Sequence, residues 1–425
     1  MFDKFGKLKI KGDGIIWAVF LILCIVSIIE VFSASSGLTY KGGSYFKPML
    51  YHTVLLIVGI GFMIVTMNVK CKYFKLVTPF ALLLSFFMLI AVLIVGQSTN
   101  GAQRWIGLFG IQFQPSELAK GAVILAEAQI LSAMQTVDGA DRHAFKYILI
   151  VSIPFLFLIG IENLSTAALL FLTIFIMMFI GRVPKRLLLR TMASLAVAVA
   201  IGIGAIWLFG HSEPETAQND KMVLTEQVET AQSKTVVDKL FHRFDTWKAR
   251  IEKFFDFREI PPEEVDLDKD AQVAHANIAI VSSNVIGKGP GNSVERDFLS
   301  QAFSDFIYAI IIEEMGVAGA FVVCLLYIVL LFRTASIANR CANAFPALLI
   351  MGFALLLVTQ AMFNMCVAVG LAPVTGQPLP LVSKGGTSTI VNCIYIGVIL
   401  SVSYTAKRKD EPEGKNKKEL AVATA

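Results

Sequence analysis

The chain has 425 residues, is 56% hydrophobic and only 16% charged, and carries a formal net charge of +5; its mean hydropathy is +0.68. No ordinary soluble domain of this length has that balance, so the sequence reads as a polytopic membrane protein. The positive excess lies in short loops beside apolar runs, which makes it a topology signal and argues against a nucleic-acid partner.

A helix needs about 20 apolar residues to cross a hydrocarbon core of about 30 Å. Laid along the chain, that template gives about ten spans, near 14–36, 47–67, 77–96, 115–134, 146–161, 164–181, 191–210, 306–332, 347–370 and 388–405. The basic start leads into a long apolar run without a small-residue cleavage site, so the first span is expected to be retained. Lys4, Lys7, Lys9 and Lys11 precede the first span, and Lys70, Lys72 and Lys75 follow the second. Arg182, Lys185, Arg186 and Arg190 follow the sixth, and Lys407, Arg408 and Lys409 follow the last. Basic residues in short loops resist translocation, and these clusters share one side only if the number of spans is even.

The expected fold is therefore all-α, with about ten transmembrane helices and both termini in the cytoplasm. A cytoplasmic N-terminus, 1–13, leads into spans one to seven over 14–210. An extracytoplasmic loop, 211–305, separates these from spans eight to ten over 306–405, and a charged, disordered cytoplasmic tail covers 406–425. The loops 97–114 and 371–387 also face outward. No cysteine falls in the long loop, so no disulfide framework is expected.

The long loop opens with an acidic stretch, 211–235. Near 236–257 it turns amphipathic, with Val237, Leu240, Phe241, Phe244, Trp247, Ile251, Phe254 and Phe255 at helical spacing. Such a helix serves as a lid packed on the bundle or lies in the outer leaflet and gathers a lipid substrate; the two roles are compatible. The chain carries no P-loop, dinucleotide fingerprint or zinc-type Cys/His spacing.

Three outward-facing entrances combine turn formers with polar residues. In the first, Asn100-Gly-Ala-Gln-Arg-Trp-Ile precedes Gln114-Pro-Ser-Glu-Leu-Ala-Lys. Pro115 suits a first helical turn, and Glu117 and Lys120 are three residues apart on one face, able to neutralise each other. Arg104 beside Trp105 offers a guanidinium suited to bidentate pyrophosphate binding, against the plainer reading of a capped entrance with an aromatic-belt Trp.

In the second entrance, Gly287-Lys-Gly-Pro-Gly-Asn-Ser, which includes Asn292, leads towards Asp305 at the mouth of the eighth span. An acid there is favoured by the helix dipole alone. Glu313 and Glu314, however, lie inside the span, where acids are costly and face polar surroundings. Adjacent helical residues point about 100° apart, so each needs its own polar partner. In the third, the proline-rich stretch from Gly370 ends in Ser383, Lys384, Gly385, Gly386, Thr387 and Ser388, where a Gly-Gly pair exposes backbone NH groups near a helix start. Arg104, Lys120, Lys384 and Asp305 together suit an anionic amphiphile bearing a pyrophosphate.

With these motifs in this order, the chain resembles the SEDS (shape, elongation, division, sporulation) proteins over nearly its full length. The matching stretches are the two of the first entrance, Gly287-Lys-Gly-Pro-Gly-Asn-Ser, Ser304-Asp-Phe-Ile-Tyr-Ala with Glu313-Glu-Met-Gly, and Gly376-Gln-Pro-Leu-Pro-Leu-Val-Ser-Lys-Gly-Gly-Thr-Ser. Val31-Phe-Ser-Ala-Ser-Ser and the Leu-Pro-Leu wording look more like the division branch, FtsW, than the elongation branch, RodA. The resemblance implies a peptidoglycan glycosyltransferase of the cytoplasmic (inner) membrane that polymerises lipid II at its outer face during cell division.

The implied partners are a class B penicillin-binding protein that crosslinks the strands and other divisome proteins. Asp305 corresponds to the family's catalytic aspartate, and roles are implied for Arg104, Trp105, Glu117, Lys120 and Ser383 to Ser388. A divalent cation, Mg or Mn, is the candidate cofactor, with no organic cofactor expected. Two positions depart from the family pattern. Lys384 stands where Tyr is common, and Ile161-Glu-Asn-Leu-Ser-Thr stands where Gln-Pro-Asp-Leu-Gly-Thr is usual, leaving Glu162 as the acid beside Asn163. The rival classes are a lipid II flippase using Glu127, Glu313, Glu314 and Asn364 as a midplane path, and a non-catalytic division scaffold.

Overall fold

Every apolar run expected to span corresponds to a helix in the computed structural model, which describes residues 11–40, 47–99, 102–108, 111–137, 139–209, 271–299 and 304–410. The amphipathic segment 236–257, the acidic stretch 211–235 and the tail beyond 410 lie outside the described residues. Seven helices lead up to the long loop: α1 (Gly14–Tyr40), α2 (Lys47–Asn68), α3 (Cys71–Val95), α4 (Pro115–Ala133), α5 (Arg142–Glu162), α6 (Leu164–Ile180) and α7 (Lys185–Phe209). After it come the short α8 (Ala271–Val281) and then α9 (Ile307–Asn339), α10 (Ala344–Ala368) and α11 (Thr387–Asp410).

Among the described residues seven helices, α1–α3, α5 and α9–α11, are long and apolar enough to cross a membrane. The other three expected spans are helices of a different make-up. α4 contains Glu117, Lys120 and Glu127, α6 has 17 residues, and α7 begins with Lys185, Arg186 and Arg190. The protein is a polytopic all-α membrane protein.

Between α3 and α4 the chain forms a small antiparallel sheet from β1 (Gln97–Thr99), β2 (Ala102–Leu108) and β3 (Ile111–Phe113), in the order β1-β2-β3. Trp105 pairs with Gln97 on one side, and Ile106 pairs with Phe113 on the other. The turn formers at 97–114 predict a loop, and its described residues pair as strands instead.

The chain divides into two compact units. One comprises 186–265 with 372–374, and its described helix is α7. In the other, α2 packs on α11, α9 on α1 and α10, and α4 on α3 and α10. Burial ranks these helices: 72% of the apolar window of α10 and 78% of that of α11 are buried, against 22% for α3. α10 and α11 form the core, while α3 turns Leu76, Phe80, Leu83, Phe87 and Ile94 outward, a surface suited to lipid. The close approach of α11 to α2 depends on Gly397, where a Cβ would stand 2.7 Å from the Met63 carbonyl oxygen. Small residues serve membrane helix packing in this way because backbones can touch.

The eighth expected span is interrupted. At Gly316, φ is 70° and ψ is −179°, so α9 breaks there. A Cβ on Gly316 would meet the Val285 carbonyl oxygen at 2.3 Å, and one on Gly287 would meet the Gly316 nitrogen at 2.3 Å. The glycine-rich stretch and the helix break thus interlock, backbone against backbone. The Ala318 amide finds a new acceptor in Val285 O at 3.2 Å.

At the end bearing the basic clusters, Asp13 accepts from Arg333 Nε (3.0 Å) and Nη2 (2.6 Å) and from the amides of Ile15 (3.0 Å) and Ile16 (3.3 Å). Its own amide donates to Ser403 Oγ at 3.0 Å. One carboxylate thereby caps α1 and ties it to α9 and α11. Burial alone would raise the Asp13 pKa, but the Arg333 and backbone hydrogen bonds outweigh it and hold the carboxyl below its ordinary value.

Candidate active site

Asp305 precedes the Phe306 N-cap of α9, and the first turn of that helix holds no acid. The residue is therefore not a dipole-favoured first-turn carboxylate. It is half-buried, and its Oδ1 accepts from Ser304 Oγ at 3.0 Å.

The backbone around Asp305 is held from two directions. Ser383 Oγ donates to the Ser304 carbonyl at 2.6 Å, and Asn364 Nδ2 donates to the Asp305 carbonyl at 2.8 Å. The second hydrogen of the same Asn364 amide reaches the Gln377 carbonyl at 2.7 Å, and Ser383 Oγ accepts from the Leu379 amide at 2.8 Å. Gln377 Nε2 in turn donates to Thr166 Oγ1 on α6 at 2.7 Å. The stretch 376–383 is thus tied to α6, to α10 and to the residues that carry Asp305.

Leu381 within it has φ 67°, a left-handed backbone that a β-carbon makes costly. Hydrogen bonds on both neighbours hold it there. Tyr327 OH donates to the Pro380 carbonyl, and Ser27 Oγ donates to the Val382 carbonyl at 2.7 Å. With the Ser27 hydrogen committed to a carbonyl, the 2.8 Å contact to His52 Nε2 has the ring donating.

Glu117 and Lys120 form the expected i, i+3 pair at 2.8 Å, but both are only 2% exposed. The Lys120 ammonium also donates to Gln360 Oε1 at 2.8 Å, and Gln360 Nε2 donates to the Pro378 carbonyl at 3.1 Å. The ammonium is enclosed by the bundle, and its effect on the last loop runs through Gln360. The Glu117 carbonyl is fixed by Tyr395 OH at 2.7 Å.

Arg104 and Trp105 lie on β2; Trp105 is half-buried, and the Arg104 side chain lies outside the described residues. Of the six residues from Ser383 to Ser388, only Lys384 and Gly386 are partly exposed. Ser388 Oγ folds back on the Gly385 carbonyl (2.6 Å), and Thr387 Oγ1 donates to the Gln112 carbonyl (3.1 Å) and accepts from the Gln114 amide (3.4 Å). Ser383, Thr387 and Ser388 therefore brace the loop. Burial lowers the Lys384 pKa from the ordinary lysine value.

Glu313 and Glu314, both 0% exposed, receive the glycine-rich stretch. Glu313 takes Lys288 Nζ at 2.6 Å, Ser293 Oγ at 2.5 Å and the Val294 amide at 3.0 Å. Glu314 takes the amides of Gly291 (2.9 Å) and Ser293 (3.2 Å) and the Ser33 hydroxyl. Asn292 stays within the stretch, its Nδ2 on the Lys288 carbonyl at 3.0 Å. Among the described residues no group of three His, Cys, Asp or Glu side chains is placed to hold a metal ion.

Gln360, Ser27 and His52 carry no motif, and their one visible signal in the sequence is polarity inside or beside apolar runs; Gln377 stands in the Gly376-Gln-Pro motif without an individual role.

Residues 13–408 match the model of a cell cycle protein family named for FtsW, RodA and SpoVE. The chain is 28% identical over 399 residues to the probable peptidoglycan glycosyltransferase FtsW of Aromatoleum aromaticum, covering 91% of this chain and 86% of that one. It is 27% identical over 396 residues to the peptidoglycan glycosyltransferase MrdB of Escherichia coli, covering 93% and 94%. FtsW-named and MrdB-named relatives thus match about equally, and the leaning towards the division branch gains no support.

A chain from a structure titled for the coordination of polymerization and crosslinking by a peptidoglycan synthase complex superposes with a TM-score of 0.66 at 21% identity, covering 93% of this chain and 98% of that one. The rod-shape-determining protein RodA of Thermus thermophilus superposes with a TM-score of 0.59 at 21% identity, covering 92% and 96%. These likenesses carry the fold. With the family model spanning nearly every helix described above, this chain belongs to the FtsW/RodA/SpoVE family of cell cycle proteins.

Proposed function

We propose that the protein is a peptidoglycan glycosyltransferase that polymerises lipid II at the outer face of the cytoplasmic membrane, with Asp305 as general base. The observation that carries this reading is the mounting of Asp305. A half-buried carboxylate stands just ahead of a helix, outside its capping geometry, on backbone clamped by Ser383 and Asn364. A base has to be held still within hydrogen-bonding reach of the proton it removes, and this backbone is held from two sides.

In the proposed reaction Asp305 takes the proton from the 4-hydroxyl of the acceptor's N-acetylglucosamine. That oxygen bonds to C1 of the donor's N-acetylmuramic acid as the bond from C1 to the pyrophosphate oxygen breaks, with inversion, and undecaprenyl pyrophosphate leaves. Lys384, partly exposed on the loop braced against Ser304, is the cation assigned to the leaving pyrophosphate, with Arg104 of β2. Ser304, whose hydroxyl donates to the Asp305 carboxylate, orients the base. A class B penicillin-binding protein is the proposed partner, and a role in division follows from the sequence resemblance alone.

A flippase would need its buried acids along an open path. Of the path's residues, Glu313 and Glu314 are instead occupied by the glycine-rich stretch and Asn364 by two loop carbonyls, while Glu127 is enclosed at 1% exposure with no hydrogen-bond partner among the described residues. Reconstitution of the purified protein with lipid II and a cognate transpeptidase, scored separately for glycan strands and for lipid transfer between leaflets, tests the reading. Strands without transfer are expected; transfer without strands overturns it.

A further inference from the structure

Away from Asp305, a cavity of about 790 Å³ opens where the start of α3 meets the start of α10 and the end of α11. Lys11, Lys70, Lys72 and Lys75 line it, and among the described residues no aspartate or glutamate does. Sorting of basic residues to one membrane side explains why lysines occur at this end. It does not explain why four of them border a single open volume with no counter-charge among the described residues.

Their partners among the described residues are neutral. Lys11 donates to Asn68 Oδ1 at 2.8 Å, Lys75 lies 4.8 Å from the centre of the Phe345 ring, and Lys72 lies 5.0 Å from that of Tyr73. Two helix starts add to the positive potential. Lys70 is the N-cap of α3 and Asn343 that of α10; neither side chain caps its helix, and both residues line the cavity. Unfilled amide hydrogens at helix starts and ammonium groups both favour phosphate oxygens. Phe345 and Pro346 give the cavity an apolar wall, and its volume lies in the range of about 300–1,000 Å³ usual for organic ligands, far above that of one phosphate ion.

We infer that this cavity binds the phosphate headgroup of an anionic phospholipid from the leaflet on the basic side. The lysines and helix starts hold the phosphate, and the apolar wall takes the glycerol end of the chains. The occupancy would tie together the ends of α2, α3, α10 and α11 and so link the stability of the bundle to lipid composition.

The test uses the purified full chain in detergent with phosphatidylglycerol, phosphatidylcholine or inorganic phosphate added, read by thermal unfolding and native mass spectrometry. Phosphatidylglycerol is expected to raise the unfolding temperature and to remain bound, and phosphatidylcholine to do neither. The Lys70→Gln/Lys72→Gln/Lys75→Gln variant is expected to bind phosphatidylglycerol roughly 100-fold more weakly. Equal effects of the two lipids, or undiminished binding by the variant, overturn the inference. Full stabilisation by inorganic phosphate alone assigns the cavity to a soluble anion and overturns the lipid source. If the triple variant does not fold, Lys70→Gln alone decides: about a fivefold loss supports the site, and unchanged binding overturns it.

Discussion

The hydroxyl of Ser383, at the end of the last proline-rich loop, donates a 2.6 Å hydrogen bond to the backbone carbonyl of Ser304, the residue before Asp305. Seventy-nine positions separate the two, so the proposed base is aligned by a loop remote in sequence. Ser383→Ala removes this donor and also the acceptor for the Leu379 amide. The expected stability loss is about 1–3 kcal/mol, with a larger fall in polymerisation rate than in lipid II binding. Ser383→Thr retains the hydroxyl and should recover most of the rate; equal losses in both variants would count against alignment by this bond.

The enclosed Glu117 and Lys120 pair makes a second prediction. Removing one partner leaves a buried charge, so Lys120→Met or Glu117→Gln alone should cost about 3–5 kcal/mol. The double replacement should cost less than the sum of the singles. A double-mutant cycle on unfolding in detergent checks this; additive losses would show that the two side chains do not act together.

Gly316 and Gly287 are where the helix break and the glycine-rich stretch meet. Gly316→Ala places a methyl 2.3 Å from the Val285 carbonyl oxygen at φ 70°, a strain of about 1–3 kcal/mol before the clash is counted. The expected outcome is release of the 285–294 stretch from Glu313 and Glu314, seen as new protease sensitivity there. An unchanged digestion pattern would contradict the interlock.

Asp13 gives a pH prediction. Its folded pKa lies below its ordinary value of about 3.9, so its ion pair with Arg333 contributes fully above that value. The contribution is lost as pH falls through the lower, folded value. Between pH 7 and pH 3 the wild type should lose more thermal stability than Asp13→Asn, which has no proton to gain. Parallel pH curves for the two proteins would contradict the assignment.

The helices were legible in the sequence because an apolar run of about 20 residues has few alternatives in lipid. The break in α9 was not, since Gly316 is required by a backbone contact to Val285 more than 30 positions earlier. Lys120 shows a related gap. Its pairing with Glu117 follows from helical spacing, but how deep that face lies in the bundle depends on Gln360 of α10 and on Pro378. Glu313 and Glu314 were readable as acids in need of partners, and their partners became visible only with the loop folded onto them. Ser27 and His52 carried no motif; they act through one hydrogen bond to the Val382 carbonyl.

The role of Asp305 is tested most directly by glycan synthesis from purified lipid II by the reconstituted protein, wild type against Asp305→Asn, with lipid II binding measured on the same samples. The asparagine keeps the shape and can still accept from Ser304, but it cannot take a proton. The account predicts that the variant is folded, binds lipid II and makes no polymer. Polymer at the wild-type rate from Asp305→Asn would contradict it.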